Sequence, residues 1–404
     1  MRILFVLDRV ENPASANAQL ACRLAEELLQ QGHTVHLLEL WDGETPPPAP
    51  PAGASQHTLP FADERLMNRA LENGAKTGSP VPLRLLRLAA HPTAVAAAFR
   101  QLVLHNPRRT VDSRRKIERL DAEFHFDAVC TVCAPYRTAF ALETAQISGK
   151  KLLWQLDPYA SNKDYTAPGG YTREGQLLQA IDTAFITPQA LPDYEGGPLS
   201  AWRNKVQVLG FPVLLPGGPV PPHTGLRCVF CGSLYPTLRE PDFALKLFTA
   251  LNAPGLTLTM AGRGWEPFEA AAQEAQAVLG ARFTRPGLLP PAEAAALEAG
   301  ADILLSLGNA FDNQMPSKLF SYLGTGKPLL HLAVTDTDPT LPYLARYPLA
   351  LVLHEKDGAT PEVIAALRRW LTDVQGKQLP YAQVAALYPE FTPGVVAQTF
   401  VARI

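Results

Sequence analysis

No apolar run in this 404-residue chain approaches the ~18–20 residues that span a bilayer. The opening "MRILFVLDRVENP" is a short strand-like run broken by Asp8 and Arg9, without the basic start and long apolar centre of a signal peptide. Excess charge is missing too: a net −2 gives no general reason to expect nucleic acid or an anionic membrane as partner. Also absent is the G-x-G-x-x-G of dinucleotide-binding folds, because the loop after the first strand reads "DRVENPASAN". These absences lead us to expect a soluble, cytoplasmic protein that is not a nicotinamide dehydrogenase.

Cysteine is scarce but patterned. Four of the five cysteines form two C-x-x-C pairs, Cys130/Cys133 and Cys228/Cys231, which as text resembles a split zinc site. Both pairs lie in runs that read as β-strands, where residues i and i+3 point to opposite faces. Neither pair has a Gly or Asn between its cysteines to turn the chain and converge two thiolates. The pattern therefore predicts buried strand cysteines, with no metal and no disulfide.

Apolar residues make up 47% and charged residues 18% of the chain, an ordinary globular mixture, and the length allows two or three domains. "RILFVL", a helix from about Ala16 to Gln31 with Leu20, Leu24, Ala25 and Leu28 at helical spacing, and "HTVHLLEL" form a βαβ opening, hence a parallel, doubly wound sheet. Residues 42–60 read as a Pro-rich surface excursion. A basic stretch follows, with Arg84, Arg87, Arg100, Arg108, Arg109, Arg114, Arg115, Lys116 and Arg119. It reads either as a solvated helix face or as a patch for anionic lipid headgroups, a peripheral contact with the inner face of the membrane. After further strands, "FPVLLPGGPVPPHTG" (211–225) is the best linker, and a second β/α alternation begins beyond it.

Four loops expected at strand ends of that second half carry the chemistry. "CGSLYPTLREP" offers Gly232, Ser233 and Arg239; "MAGRGWEP" offers Gly262, Arg263 and Gly264; "TRPGLLPPAE" offers Gly287 and Leu288; and "NAFDNQMPSKLFSYLGTGKPLL" runs from Asn309 to Leu330. In the last, Pro316 suits a first helical position, so the amides of Ser317, Lys318 and Leu319 should point out of a helix N-terminus as an anion site. Lys318 would add a full charge, and Ser317 and Ser321 would share one face a turn apart. A well-capped core helix is the plainer reading of the same residues. Together, the loops point to a diphosphate.

These same runs resemble the donor domain of GT-B glycosyltransferases, in particular the retaining glycosyltransferase family 4, or group 1, type. The "GHTV" turn at Gly32–Val35 and the closing "YPEFTPGVVAQTFVARI" are similar to the family's first domain and crossing helix. The resemblance implies an α/β fold of two Rossmann-like β/α/β domains facing across a cleft: residues 1–214, completed by a C-terminal helix over 385–404 that crosses back, and residues 215–384. It implies sugar transfer, with retention, from a UDP- or GDP-sugar to a saccharide or lipid-linked acceptor, with no cofactor and no required metal. By motif position, Arg239 and Lys318 would hold phosphates, the Gly287–Leu288 backbone would meet the base, and Asn309 and Asn313 would face the sugar. Two positions depart from the family: Ser233 stands where it usually carries Arg, and Ser321 stands at its ribose-gripping Glu. A serine there forfeits a charge-assisted bond worth about 1.5–3 kcal/mol. For the acceptor, the first domain offers Asn12, Asn17, Tyr136, Arg137, Asp157 and Tyr159, with Asp157 the best acid to orient a hydroxyl. A GT-B nucleotide-sugar epimerase and a catalytically silent GT-B protein that binds a nucleotide, glycan or protein partner are the alternatives.

Overall fold

A computed structural model of the chain describes residues 1–8, 16–41, 47–61, 107–162, 167–310 and 315–404, with positions 92, 95 and 96. Asn12, Asn313 and most of the basic stretch before residue 107 lie outside the described residues.

The chain divides into two compact units, Met1–Gly210 with Val396–Ile404, and Phe211–Val395. The first is built on β1 (Arg2–Leu7), β2 (Thr34–Trp41), β3 (Ser55–Pro60), β4 (Ala128–Cys133), β5 (Lys150–Gln155), β6 (Thr183–Ile186) and β7 (Val206–Val208), in the order β3-β2-β1-β4-β5-β6-β7. Every pairing in it is parallel. β1 and β4 are nearly continuous apolar runs because helices cover both faces of a parallel sheet. β3 corrects the expectation of a loop over 42–60. Its "SQHTLP" lacks an apolar run because it is an edge strand whose side chains are mostly in solvent, and Pro60 ends it where no further partner needs an N–H.

The second unit repeats the plan. β8 (Leu226–Cys231), β9 (Leu256–Ala261), β10 (Phe283–Gly287), β11 (Ile303–Leu307), β12 (Leu329–Ala333) and β13 (Ala350–His354) form a parallel sheet in the order β10-β9-β8-β11-β12-β13. In each sheet the winding reverses beside the first strand, between β1 and β4 and between β8 and β11. Open α/β sheets bind ligands at such a switch point, beyond the carboxyl ends of the strands.

The expected linker is part of the second unit from Phe211 onward. The Phe211 ring lies 5.9 Å from Phe320 and 6.1 Å from Phe391, and Tyr381 Oη donates to the Leu214 carbonyl at 2.8 Å. The closing segment is not one helix over 385–404 but Tyr381–Leu387, a turn at Pro389–Phe391 and Pro393–Val401. Only Val396 onward belongs to the first unit, where buried Phe400 packs against Phe5 and Phe185 at 5.5 and 4.9 Å.

The four strand cysteines are free and buried, and burial raises the thiols of Cys130, Cys133 and Cys228 far from thiolate formation, as the strand pattern predicts. Among the described residues no helix is long and apolar enough to cross a membrane, and no group of His, Cys, Asp or Glu could hold a metal ion. The basic stretch is corrected in part. On the helix Pro107–Phe124, Arg109 is buried against Asp8, and Arg114 and Arg115 face Glu118 at 3.9 Å and Asp112 at 4.0 Å. Acids at helical spacing thus offset the basic face.

Candidate nucleotide-sugar site

The loops that follow β8, β9 and β10 are knitted together by their backbones. Gly232 N donates to Ala261 O at 2.9 Å, Leu234 N to Arg263 O at 2.9 Å, and Gly262 N to Gly287 O at 2.8 Å. Gly262 has φ +149°, and a Cβ there would lie 1.7 Å from the Gly232 carbonyl oxygen. Gly232 and Gly262 therefore let the β8 and β9 loops close on each other. Gly287 differs: at φ +77° its missing side chain would meet nothing within 4 Å, and Leu288 beside it is 69% exposed.

Across the switch point, Arg239 from the β8 loop forks onto one oxygen of Asn309 from the β11 loop, with Nε at 3.0 Å and Nη2 at 2.7 Å. Asn309 is buried, and Ala310 N donates to Leu238 O at 2.8 Å, so the two loops are tied by side chain and backbone alike. Sequence reasoning missed Tyr235. Burial alone would raise its phenol, yet hydrogen bonds with Arg263 and Ser233, together with the charges of Arg263 and Arg239, bring it below its ordinary value. Exposed Arg263 and half-buried Arg239 thus both bear on an exposed tyrosine.

The helix Ser317–Gly324 begins one residue later than expected, with Pro316 as its N-cap rather than its first helical residue. Leu319 does not present a free amide: it donates to Pro316 O at 3.1 Å, and its side chain is buried with Phe320, Tyr322 and Leu323. Ser317 and Ser321 are half-buried. Lys318 departs most from expectation. Its ammonium lies near the Tyr322 ring at 5.6 Å and pairs with Glu298 Oε1 at 2.7 Å, so its charge is engaged by a carboxylate of another helix.

Behind these loops, His331 Nδ1 lies 3.1 Å from Ser306 Oγ, and its Nε2 lies 3.0 Å from Asp338 Oδ2. All three side chains are buried, so this set braces rather than reacts, and a Cβ at Gly308, just before Asn309, would lie 2.6 Å from that Asp338 oxygen.

In the first unit, the acceptor tyrosines are corrected: both are buried, with hydroxyls given to backbone carbonyls, Tyr136 to Asp157 O at 2.6 Å and Tyr159 to Pro168 O at 2.7 Å. They fix the loop that holds half-buried Asp157 instead of presenting hydroxyls. Asn17 Nδ2 likewise donates to Ala134 O at 3.0 Å and braces the β4 loop. Buried Glu174 supports the same region, accepting from Gln155 at 2.6 Å and from Ala160 N at 3.0 Å, and burial raises its carboxyl. Asp8 was also missed. It ends β1 as a buried carboxylate paired with Arg109 at 2.7 Å and Arg137 at 3.6 Å, and that second contact spans the switch point of this sheet. Its only signal in the sequence was an acid directly after a buried strand.

No protein-family model matches the chain, and no curated protein matches it. Solved structures do match over its whole length. Sucrose-phosphate synthase from Thermosynechococcus elongatus aligns with a TM-score of 0.62 at 13% identity, covering 100% of this chain and 98% of that one. Anabaena HepE, solved with UDP and glucose, aligns at 0.58 and 12%, covering 100% and 98%. UDP-GlcNAc 2-epimerase from Neisseria meningitidis, bound to UDP-GlcNAc, aligns at 0.56 and 12%, covering 100% and 99%. The fold is GT-B, two Rossmann-like units in one chain.

Proposed function

We propose that the protein is a glycosyltransferase that moves a sugar, with retention, from a UDP- or GDP-sugar to a saccharide or lipid-linked acceptor. The observation that carries this reading is the Arg239–Asn309 fork across the β8/β11 switch point, where an open α/β sheet receives its ligand. The solved relatives in this fold include proteins with UDP and UDP-sugars bound, which supports the choice of donor.

In this reading Arg239, Arg263 and Lys318 meet the diphosphate, with the amide of Ser317 at the helix N-terminus. These cations stabilise the leaving nucleoside diphosphate, the role a divalent metal plays elsewhere, so no metal is required. The open backbone at Gly287, with exposed Leu288, receives the base. Asn309 faces the sugar, and Ser317 and Ser321 face the ribose side. Tyr235, itself hydrogen-bonded with Ser233, holds Arg263 toward the phosphates. The acceptor lies against the first unit, with Arg137 and Asp157 nearest its hydroxyls. Asp8 keeps Arg137 in place.

A second reading, a nucleotide-binding protein without turnover, is favoured by Ser321 at the ribose position and by the engagement of Lys318 with Glu298. Calorimetric titration with UDP, GDP and ADP, followed by turnover assays with their sugar conjugates, separates the two. Binding with transfer supports the transferase, binding without turnover supports the silent protein, and binding of none overturns both. Lys318→Ala should weaken UDP more than UMP; equal losses remove Lys318 from the diphosphate. Ser321→Glu should tighten UDP, and unchanged affinity would remove residue 321 from the ribose.

A further inference from the structure

Glu298 closes the helix Pro291–Ala299, where unsatisfied carbonyls make the local potential negative. Two lysines answer it. Buried Lys327 donates to the carbonyls of Glu298 and Ala299 at 2.9 and 2.6 Å. Lys318 takes the Glu298 carboxylate, which also accepts from Tyr322 Oη at 3.2 Å. The Tyr322 hydroxyl is itself held by Cys231 N at 3.3 Å, at the end of β8.

These two lysines are not equivalent. Lys327 is 1% exposed and bound to fixed backbone, while the Lys318 side chain is 44% exposed and anchored at its tip to a single carboxylate oxygen. Lys318 is therefore the member of the cluster that can leave. Its departure would leave Glu298 with the Tyr322 hydroxyl and with Lys327 nearby, so the carboxylate would not be stranded.

We infer that Glu298 competes with the diphosphate of the donor for the Lys318 ammonium, making it a determinant of nucleotide affinity that touches no part of the nucleotide. This rests on the reading of the second unit as a nucleoside-diphosphate site. In the free protein Lys318 is paired with Glu298; in the complex it turns to the diphosphate, and Glu298 keeps Tyr322. Glu298 thereby sets how much of the lysine's attraction appears as affinity, and the loss of nucleoside diphosphate after transfer is helped by a carboxylate waiting for the lysine.

The test is UDP titration by calorimetry of the full chain as wild type, Glu298→Gln, Lys318→Ala and the double variant. Glutamine keeps the size of the side chain and an oxygen for Tyr322 while removing the charge. A half-exposed ion pair of this kind is a weak competitor, so Glu298→Gln should tighten UDP roughly threefold. In the Lys318→Ala background the same change should have no effect. If UDP binds but Glu298→Gln leaves its affinity unchanged or weakens it, or tightens it equally without Lys318, the inference is wrong while the nucleotide site stands. If none of the four proteins binds UDP, the same titrations are made with GDP and ADP; if none of the three binds, the nucleotide reading fails and takes the inference with it. NMR of the reductively 13C-methylated protein gives a readout independent of ligand. The 13C shift of the Lys318 methylamine should differ between wild type and Glu298→Gln, because the ammonium lies 2.7 Å from the Glu298 carboxylate, and identical shifts would refute the pairing itself.

Discussion

Replacing Arg239 or Asn309 should expose how the β8 and β11 loops are held together. The guanidinium makes two charge-assisted bonds to a single, buried amide oxygen, at 3.0 and 2.7 Å. Bonds from a charged group contribute about 1.5–3 kcal/mol, and a buried acceptor left unpaired costs about 1–3 kcal/mol. Arg239→Ala should therefore destabilise the second unit by about 2–3 kcal/mol, and Asn309→Ala by about the same, since it strands a half-buried cation. In a unit of this size that lowers the melting temperature by roughly 4–10 °C. Because the two residues act as one contact, the double variant should lose little more than either single one, a coupling of about 1.5 kcal/mol or more in a double-mutant cycle. Arg239→Lys separates charge from geometry: one ammonium cannot reproduce the fork, so about 1 kcal/mol should still be lost. Urea denaturation followed by tryptophan fluorescence and circular dichroism measures all four. Additive effects, with a coupling below about 0.5 kcal/mol, would mean that the fork does not hold the loops and that the site is not pre-formed by it.

Other parts of the account give further expectations. Phe400→Ala should cost the first unit about 3–5 kcal/mol while the second melts as before, because the buried ring packs on Phe5 and Phe185; equal melting of both units would contradict the division. Gly262→Ala should prevent the β8 and β9 loops from closing, since its Cβ would fall on the Gly232 carbonyl, and a variant as stable as wild type would refute that packing. His36 is buried beside His57, with Phe124 and Phe126 around it, and burial, then the positive potential of His57 and Arg2, lowers its pKa to about 4. A base whose folded pKa is depressed stabilises fully above its unfolded value near 6.5 and loses that contribution as the pH falls toward 4. Allowing for solvent screening, stability should drop by roughly 1–2 kcal/mol over that range, and His36→Phe should flatten the slope; an unchanged slope would assign the loss to other groups.

The double β/α alternation was legible in the chain because parallel strands buried on both faces leave near-continuous apolar runs, as in "RILFVL" and "ADILLSL". β3 was not, because an edge strand in solvent carries no such run. Arg239 and Asn309 could each be named from strand-end position, but nothing in a linear pattern says that one side chain takes the other as its partner across 70 residues. Lys318 shows the limit most clearly. Its place at a helix N-terminus is a local property, while the direction of its side chain is decided by Glu298 on a different helix. Tyr136 and Tyr159 failed as acceptor ligands for a related reason: residues near a site that end in a polar group often use it to hold the site's own backbone.

The central claim, that the loops after β8, β9, β10 and β11 hold a nucleoside diphosphate, is tested most directly by calorimetric titration of UDP into the wild-type protein and into Arg239→Ala, with GDP and ADP in parallel. We predict saturable binding of UDP or GDP to the wild type, weakened about tenfold or more in Arg239→Ala by loss of a charge-assisted contact to phosphate. No binding of any of the three nucleotides, or binding that Arg239→Ala leaves untouched, would contradict it.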